Sequence, residues 1–157
     1  MKICENSIKV NGLTRPVIDT VPQFSWKLAA DKNGEKQDAY RILVSESSEL
    51  TAPVWDTGFI ASEDCANLPY AGNPLSPATR YYFSVAVKSG GYLVSSGTEY
   101  FDTGKRGEPF RGIWITGHDC RRRDEALAAP YLRRAFGVTK SVRRAMLYIA
   151  GLGYFEA

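Results

Sequence analysis

Over the first hundred positions, apolar and polar residues alternate in short runs that recur about every ten residues. Phe24, Trp26 and Leu28 alternate with Ser25 and Lys27. Tyr40, Ile42 and Val44 alternate with Arg41, Leu43 and Ser45. Tyr81, Phe83, Val85 and Val87 alternate with Tyr82, Ser84, Ala86 and Lys88. A period of two sends each first set to one face of a sheet, the face to be buried. Between the runs, DKNGEK (31–36), ESSELTAP (46–53), AGNPLSP (71–77) and KSGG (88–91) supply the Gly, Pro, Asn and Ser that turns need. Further runs at 7–10, 54–60, 67–70 and 98–102 bring the count to seven strands. No segment carries a helical period of useful length. The pattern predicts an all-β, two-sheet sandwich over 1–104.

The remainder reads as a second unit, 105–157. FDTGKRGEPFRG (101–112) has the glycine, charge and proline of a linker. GIWITG (112–117), PYLRRAFGV (130–138) and SVRRAMLYIAGLGYFEA (141–157) are predicted strands, with a hairpin turn at 138–141. The polar loop 118–129 contains a possible helical turn at 124–129. Three strands cannot cover their own apolar face. Left open, the last of them would be a flat apolar edge. The expectation is the incomplete start of another β-sandwich, and so the front of a longer protein.

Composition sharpens this picture. Fourteen glycines, eight prolines and nineteen aromatics suit a turn-rich β protein, and 24% charged residues is too few for a disordered one. No apolar run reaches the roughly 20 residues of a membrane helix. The N-terminus lacks a secretory apolar core, so a cytoplasmic location is expected unless a signal was removed. Three widely spaced cysteines, Cys4, Cys65 and Cys120, form no metal pair and no disulfide framework. The net charge of +3 conceals a split: nine Lys and Arg face twelve Asp and Glu over 1–103, but eleven face five over 104–157.

One stretch is specific. LSPATRYYFSVAV (75–87) resembles the E–F turn and F strand of fibronectin type III domains. In that family a tyrosine at the position of Tyr81 bonds back to upstream backbone. Trp26 resembles the family's core tryptophan, and Tyr40, Ile42 and Val44 resemble its C strand. Each of these large side chains is explained by a place in the core.

The landmarks in order are VNGLTRPVID (10–19), PQFSWKL (22–28), QDAYRILVS (37–45), VWDTG (54–58), LPYAGNPLSPATRYYFSVAV (68–87) and YFDTG (100–104). GIWIT (112–116), PYLRRAF (130–136) and AMLYIAGLGYFEA (145–157) come after them. Together they resemble the N-terminal region of bacterial α-L-rhamnosidases of glycoside hydrolase family 78. The resemblance implies a fibronectin-type sandwich followed by the opening strands of a jelly-roll-type sandwich. It also implies a parent enzyme that hydrolyses terminal α-L-rhamnosyl linkages with inversion, through a carboxylic acid and a carboxylate. Both of those belong to a downstream (α/α) barrel, so no catalytic residue, cofactor or metal ligand is carried onto this chain.

The residues agree. Glu63-Asp64 and Asp124-Glu125 are neighbours in turns, unlike the opposed carboxylates, about 6.5–9.5 Å apart, that inversion requires. His118 is the only histidine; beside Asp119 and Cys120 it reads as a solvated loop residue. GLGYFE lacks the third glycine and the helix of a dinucleotide site. Arg121-Arg122-Arg123, Arg133-Arg134 and Arg143-Arg144 read as a solvated or salt-bridged face, and neither nucleic acid nor a membrane is an expected partner. The expected partners are the parent's downstream domains, which the segment would brace, and through the parent a rhamnose-containing glycan. The rival reading is a stand-alone fibronectin-type adaptor that binds a protein or glycan and covers its C-terminal strand by dimerising.

Overall fold

The structure is a computed structural model that describes residues 1–116, 130–142 and 144–152. The chain forms two compact units, Met1–Phe110 and Arg111–Ala157. The first contains twelve strands: β1 Lys2–Ile3, β2 Lys9–Val10, β3 Val17–Ile18, β4 Gln23–Ser25, β5 Leu28–Ala29 and β6 Ala39–Ser45, then β7 Pro53–Asp56, β8 Ile60–Ala61, β9 Leu68–Pro69, β10 Arg80–Ser89, β11 Tyr92–Ser95 and β12 Glu99–Thr103.

The large sheet runs β3-β12-β10-β6-β7, with β11 also on β10 and β8 also on β6; the small sheet is β2-β4-β9, and β1 pairs with β5. The two long strands set the register. Phe83 lies opposite Val44, Val85 opposite Ile42 and Val87 opposite Tyr40. All six are buried, while Tyr82, Ser84 and Ala86 between them are only half-buried. The expected alternation is therefore the one formed. From the small sheet, Phe24 packs against Phe83 at 5.0 Å between ring centroids and against Phe101 at 6.2 Å. These rings join the faces of two sheets into one core, as in an immunoglobulin-like sandwich.

Two expected strands are broken. The run 24–28 divides into β4 and β5, which join different sheets. Between them the Trp26 N–H donates to the Cys65 carbonyl, and Lys27 accepts from the Cys4 N–H. The run 54–60 is interrupted where the Thr57 hydroxyl takes the Ile42 N–H and Gly58 turns the chain at φ +60°. Three further strands, β1, β3 and β11, lie outside the seven expected runs. β1, like β3, is only two residues long, and β11 leaves Tyr92 and Leu93 exposed, so none has a buried alternation to reveal it.

Among the described residues of the second unit there is no strand, and no ladder joins 130–138 to 141–152. Ile113, Trp114, Ile115, Phe136, Leu147 and Leu152 are exposed. Strands at these positions would need neighbours to take up their backbone groups and a layer to cover their side chains. The possible helical turn at 124–129 lies outside the described residues.

Candidate functional site

The aromatic residues expected in the core are there for packing. Trp26 is buried edge-on to Tyr40, with its indole N–H donating to Gln37 Oε1 at 3.1 Å. The Gln37 amide in turn donates to the carbonyls of Ser62 and Asp64. Burial pushes the Tyr40 hydroxyl's pKa up. The Tyr81 hydroxyl accepts the upstream Ser76 N–H at 2.8 Å, the corner contact expected of it. The polar groups of Trp26, Gln37 and Tyr81 are thus all engaged locally.

The carboxylates are likewise engaged. Glu63 takes Lys36 Nζ at 3.0 and 3.2 Å, and its neighbour Asp64 accepts from the Ser62 hydroxyl. Both acids are exposed. Asp124, Glu125, His118, Cys120 and the triplet Arg121–Arg123 lie outside the described residues, as does Arg143. Arg133, Arg134 and Arg144 are exposed, and Cys4 and Cys65 are half-buried free thiols. No three His, Cys, Asp or Glu side chains come together as a metal would require, among the described residues.

The outer face of the large sheet carries two doubly bonded arginine–aspartate pairs. Arg41 holds Asp56 through two bonds of 2.8 and 2.6 Å, and Arg80 holds Asp102 through two of 2.9 and 2.8 Å. Arg15 donates to Glu99 at 3.0 Å. The Arg80 guanidinium also lies over the Tyr100 ring, 3.9 Å from its centroid, and Arg15 approaches the same ring at 5.1 Å. The hydrogen bonds from Arg41 hold the Asp56 carboxyl below the ordinary carboxylate range, and those to Asp102 raise Arg80. A carboxyl held ionised by arginine cannot give up a proton near neutral pH. Bidentate pairing of this kind locks both side chains in one geometry.

Sequence reasoning passes over these residues, although a signal is present. Asp-Thr-Gly occurs twice, at 56–58 and 102–104, and each aspartate meets an arginine from the neighbouring strand. The surface of this unit includes two shallow clefts of about 460 and 420 Å³. Lys2, Arg15, Val94 and Glu99 line part of the first, and Asp31, Glu35 and Tyr92 part of the second. In the second, Asp31 and Glu35 converge on the Met1 ammonium at 3.0 and 2.9 Å, so that carboxylate pair is occupied by the chain's own N-terminus.

The sequence model of one family, the Rha78A-like N-terminal immunoglobulin domain, matches residues 6–107. An α-L-rhamnosidase of Formosa agariphila is 32% identical over an alignment that covers 96% of this chain and 19% of that protein. An α-L-rhamnosidase of Streptomyces avermitilis is 41% identical over 60% of this chain and 10% of its own length. Among solved structures, the Streptomyces avermitilis α-L-rhamnosidase complexed with L-rhamnose superposes with a TM-score of 0.62 and 35% identity. It covers 67% of this chain, which in turn spans 11% of it. The chain therefore spans about a fifth or less of the relatives it matches.

Proposed function

The chain belongs to the family of Rha78A-like N-terminal immunoglobulin domains, and from this premise we propose that it is the non-catalytic N-terminal segment of a glycoside hydrolase. The hydrolase would cleave terminal α-L-rhamnosyl linkages with inversion, its two carboxylic groups lying on a barrel outside this chain. The observation that carries the reading is the family match over 6–107 in company with relatives that are α-L-rhamnosidases. The paired, arginine-bound carboxylates of the sandwich support a role without chemistry.

Within the enzyme, the sandwich over 1–104 is read as a fibronectin type III-like brace. The corner made by Tyr81 and Ser76 supports that finer assignment. Residues 105–157 would open a second, jelly-roll-type sandwich, and the segment's partners would be the domains downstream and, through them, a rhamnose-containing glycan.

Two measurements test this. The purified chain is expected to leave a chromogenic α-L-rhamnoside unhydrolysed; turnover by the chain itself would overturn the non-catalytic assignment. An immunoblot of source cells with antibody against 1–104 is expected to reveal a band several times larger than 17.4 kDa. A single band at that mass would instead favour the stand-alone adaptor.

A further inference from the structure

The stretch 104–108 has the composition of a flexible linker, yet it is held on several sides. β12 runs parallel to β3, with the Asp102 N–H donating to the Pro16 carbonyl and the Gly104 N–H donating to the Ile18 carbonyl. Continued by two residues, that ladder would give the Arg106 N–H to the Thr20 carbonyl. Instead the Asp19 carboxylate reaches across and takes the Arg106 N–H at 2.6 Å, while the Arg106 guanidinium donates to the Thr20 carbonyl at 3.4 Å. On the other side, Ala78 N–H donates to the Gly104 carbonyl, and Thr103 N–H to that of Thr79. The turn closes with Glu108 N–H on the Lys105 carbonyl.

Two residues fit only this arrangement. A Cβ on Gly104 would stand 2.6 and 2.7 Å from the two Asp19 carboxylate oxygens, so the glycine makes room for the carboxylate. Arg106 sits at φ +48°, a conformation that costs a non-glycine residue about 1 kcal/mol or more and persists only where its surroundings impose it. Arg106 and Gly107, at φ +48° and +87°, are the central residues of the turn that Glu108 closes on Lys105, and Asp19 takes the N–H that this turn directs outward.

We propose that Asp19 is the latch of an ordered elbow, which holds 104–108 against the edge of the sandwich. The latch is a charge-assisted bond that completes the β3–β12 ladder with a side chain. It stands on this geometry alone and is independent of the rhamnosidase reading.

Trypsin offers the test, since Lys105 and Arg106 lie inside the elbow and Arg111 beyond it. In the full chain, cleavage after Lys105 and Arg106 should be much slower than after Arg111. Asp19→Ala should speed it about tenfold, the equilibrium worth of one charge-assisted hydrogen bond. Cleavage after Arg80 and Lys88, within β10, should not change. Gly104→Ala, which crowds the carboxylate from the opposite side, should have the same effect. Arg106→Gly, which relieves the backbone and keeps the N–H, should leave Lys105 protected. Amide exchange at Arg106 should rank the variants in the same order. Equal cleavage at Lys105 and Arg111 in the unaltered chain would overturn the proposal. So would Asp19→Ala and Gly104→Ala variants cut no faster, or cut faster at every site alike.

Discussion

The two Asp-Thr-Gly triplets use identical residues for different local ends. In the first, Gly58 has a positive φ and its N–H donates to Asp56; in the second, Gly104 has no Cβ because Asp19 occupies that space. The threonines differ in burial. Thr103 is fully buried, its hydroxyl donating to the Ser76 carbonyl at 2.6 Å and accepting from the Thr79 N–H. Thr103→Val would strand that N–H and should cost about 1–3 kcal/mol in urea unfolding. Tyr81→Phe removes the acceptor of the Ser76 N–H and should cost about 1 kcal/mol by the same measurement. Asp56 supplies a pH dependence. Because Arg41 depresses the Asp56 pKa, the unfolded chain binds the proton first as pH falls below about 3.9. The pair's contribution is therefore full above that pH and is lost on acidification through the depressed folded value. Arg41→Gln should lower stability at pH 6 and flatten the acid limb, bringing the two proteins together once the pH falls below the depressed folded value; parallel acid limbs would rule this coupling out. Tyr81 was legible because its motif fixes both the residue and its partner. Asp19 was not, because its partner lies 87 residues away across a parallel pair that no local pattern encodes.

At the scale of the strand, legibility followed burial. β6 and β10 bury alternate residues against one another, so their period survives in the sequence. β11 lies at an edge with Tyr92 79% exposed, and nothing constrains which of its residues is polar. β4 and β5 look like one alternating run because Trp26 continues the buried face while the backbone passes between sheets. Alternation reports which way a side chain points; it carries no information on which sheet takes up the backbone. Neighbours on β10 give the sharpest test of facing. Phe83 is 1% exposed and touches Phe24 and Phe101, whereas Tyr82 is half-buried on the outer face against Tyr100. Phe83→Ala should cost about 3–5 kcal/mol through the lost contacts and the cavity left behind. Tyr82→Ala, one position away, should cost about 1 kcal/mol or less, the scale of a surface cross-strand pair. Comparable urea midpoints for the two variants would mean that the register of β10 is wrong.

For the whole molecule, the charge split and the compact units divide the chain at nearly the same point. The acidic part folds as the sandwich, and its core residues, from Val10 to Phe101, all come from that part among the described residues. The basic part presents apolar side chains to solvent: Ile113 is 87% exposed, Leu152 89% and Trp114 67%. Burial is what makes an apolar residue stabilising, at roughly 25 cal/mol for each Å² removed from water. Side chains this exposed therefore contribute little to holding the fold, and they form the kind of surface that binds hydrophobic dyes. The two halves should separate experimentally. A chain shortened to 1–110 should keep the thermal transition of the full chain, read by near-ultraviolet circular dichroism of its buried Trp26, Tyr40 and Tyr81. The same truncation should abolish most binding of a hydrophobic dye. A large fall in the transition temperature would mean that the second unit supports the sandwich and that its apolar residues are covered in solution. An unchanged transition with dye binding lost would leave the sandwich as the independent folding unit. Its ordered elbow at Asp19 and Arg106 would then be a property of the sandwich itself.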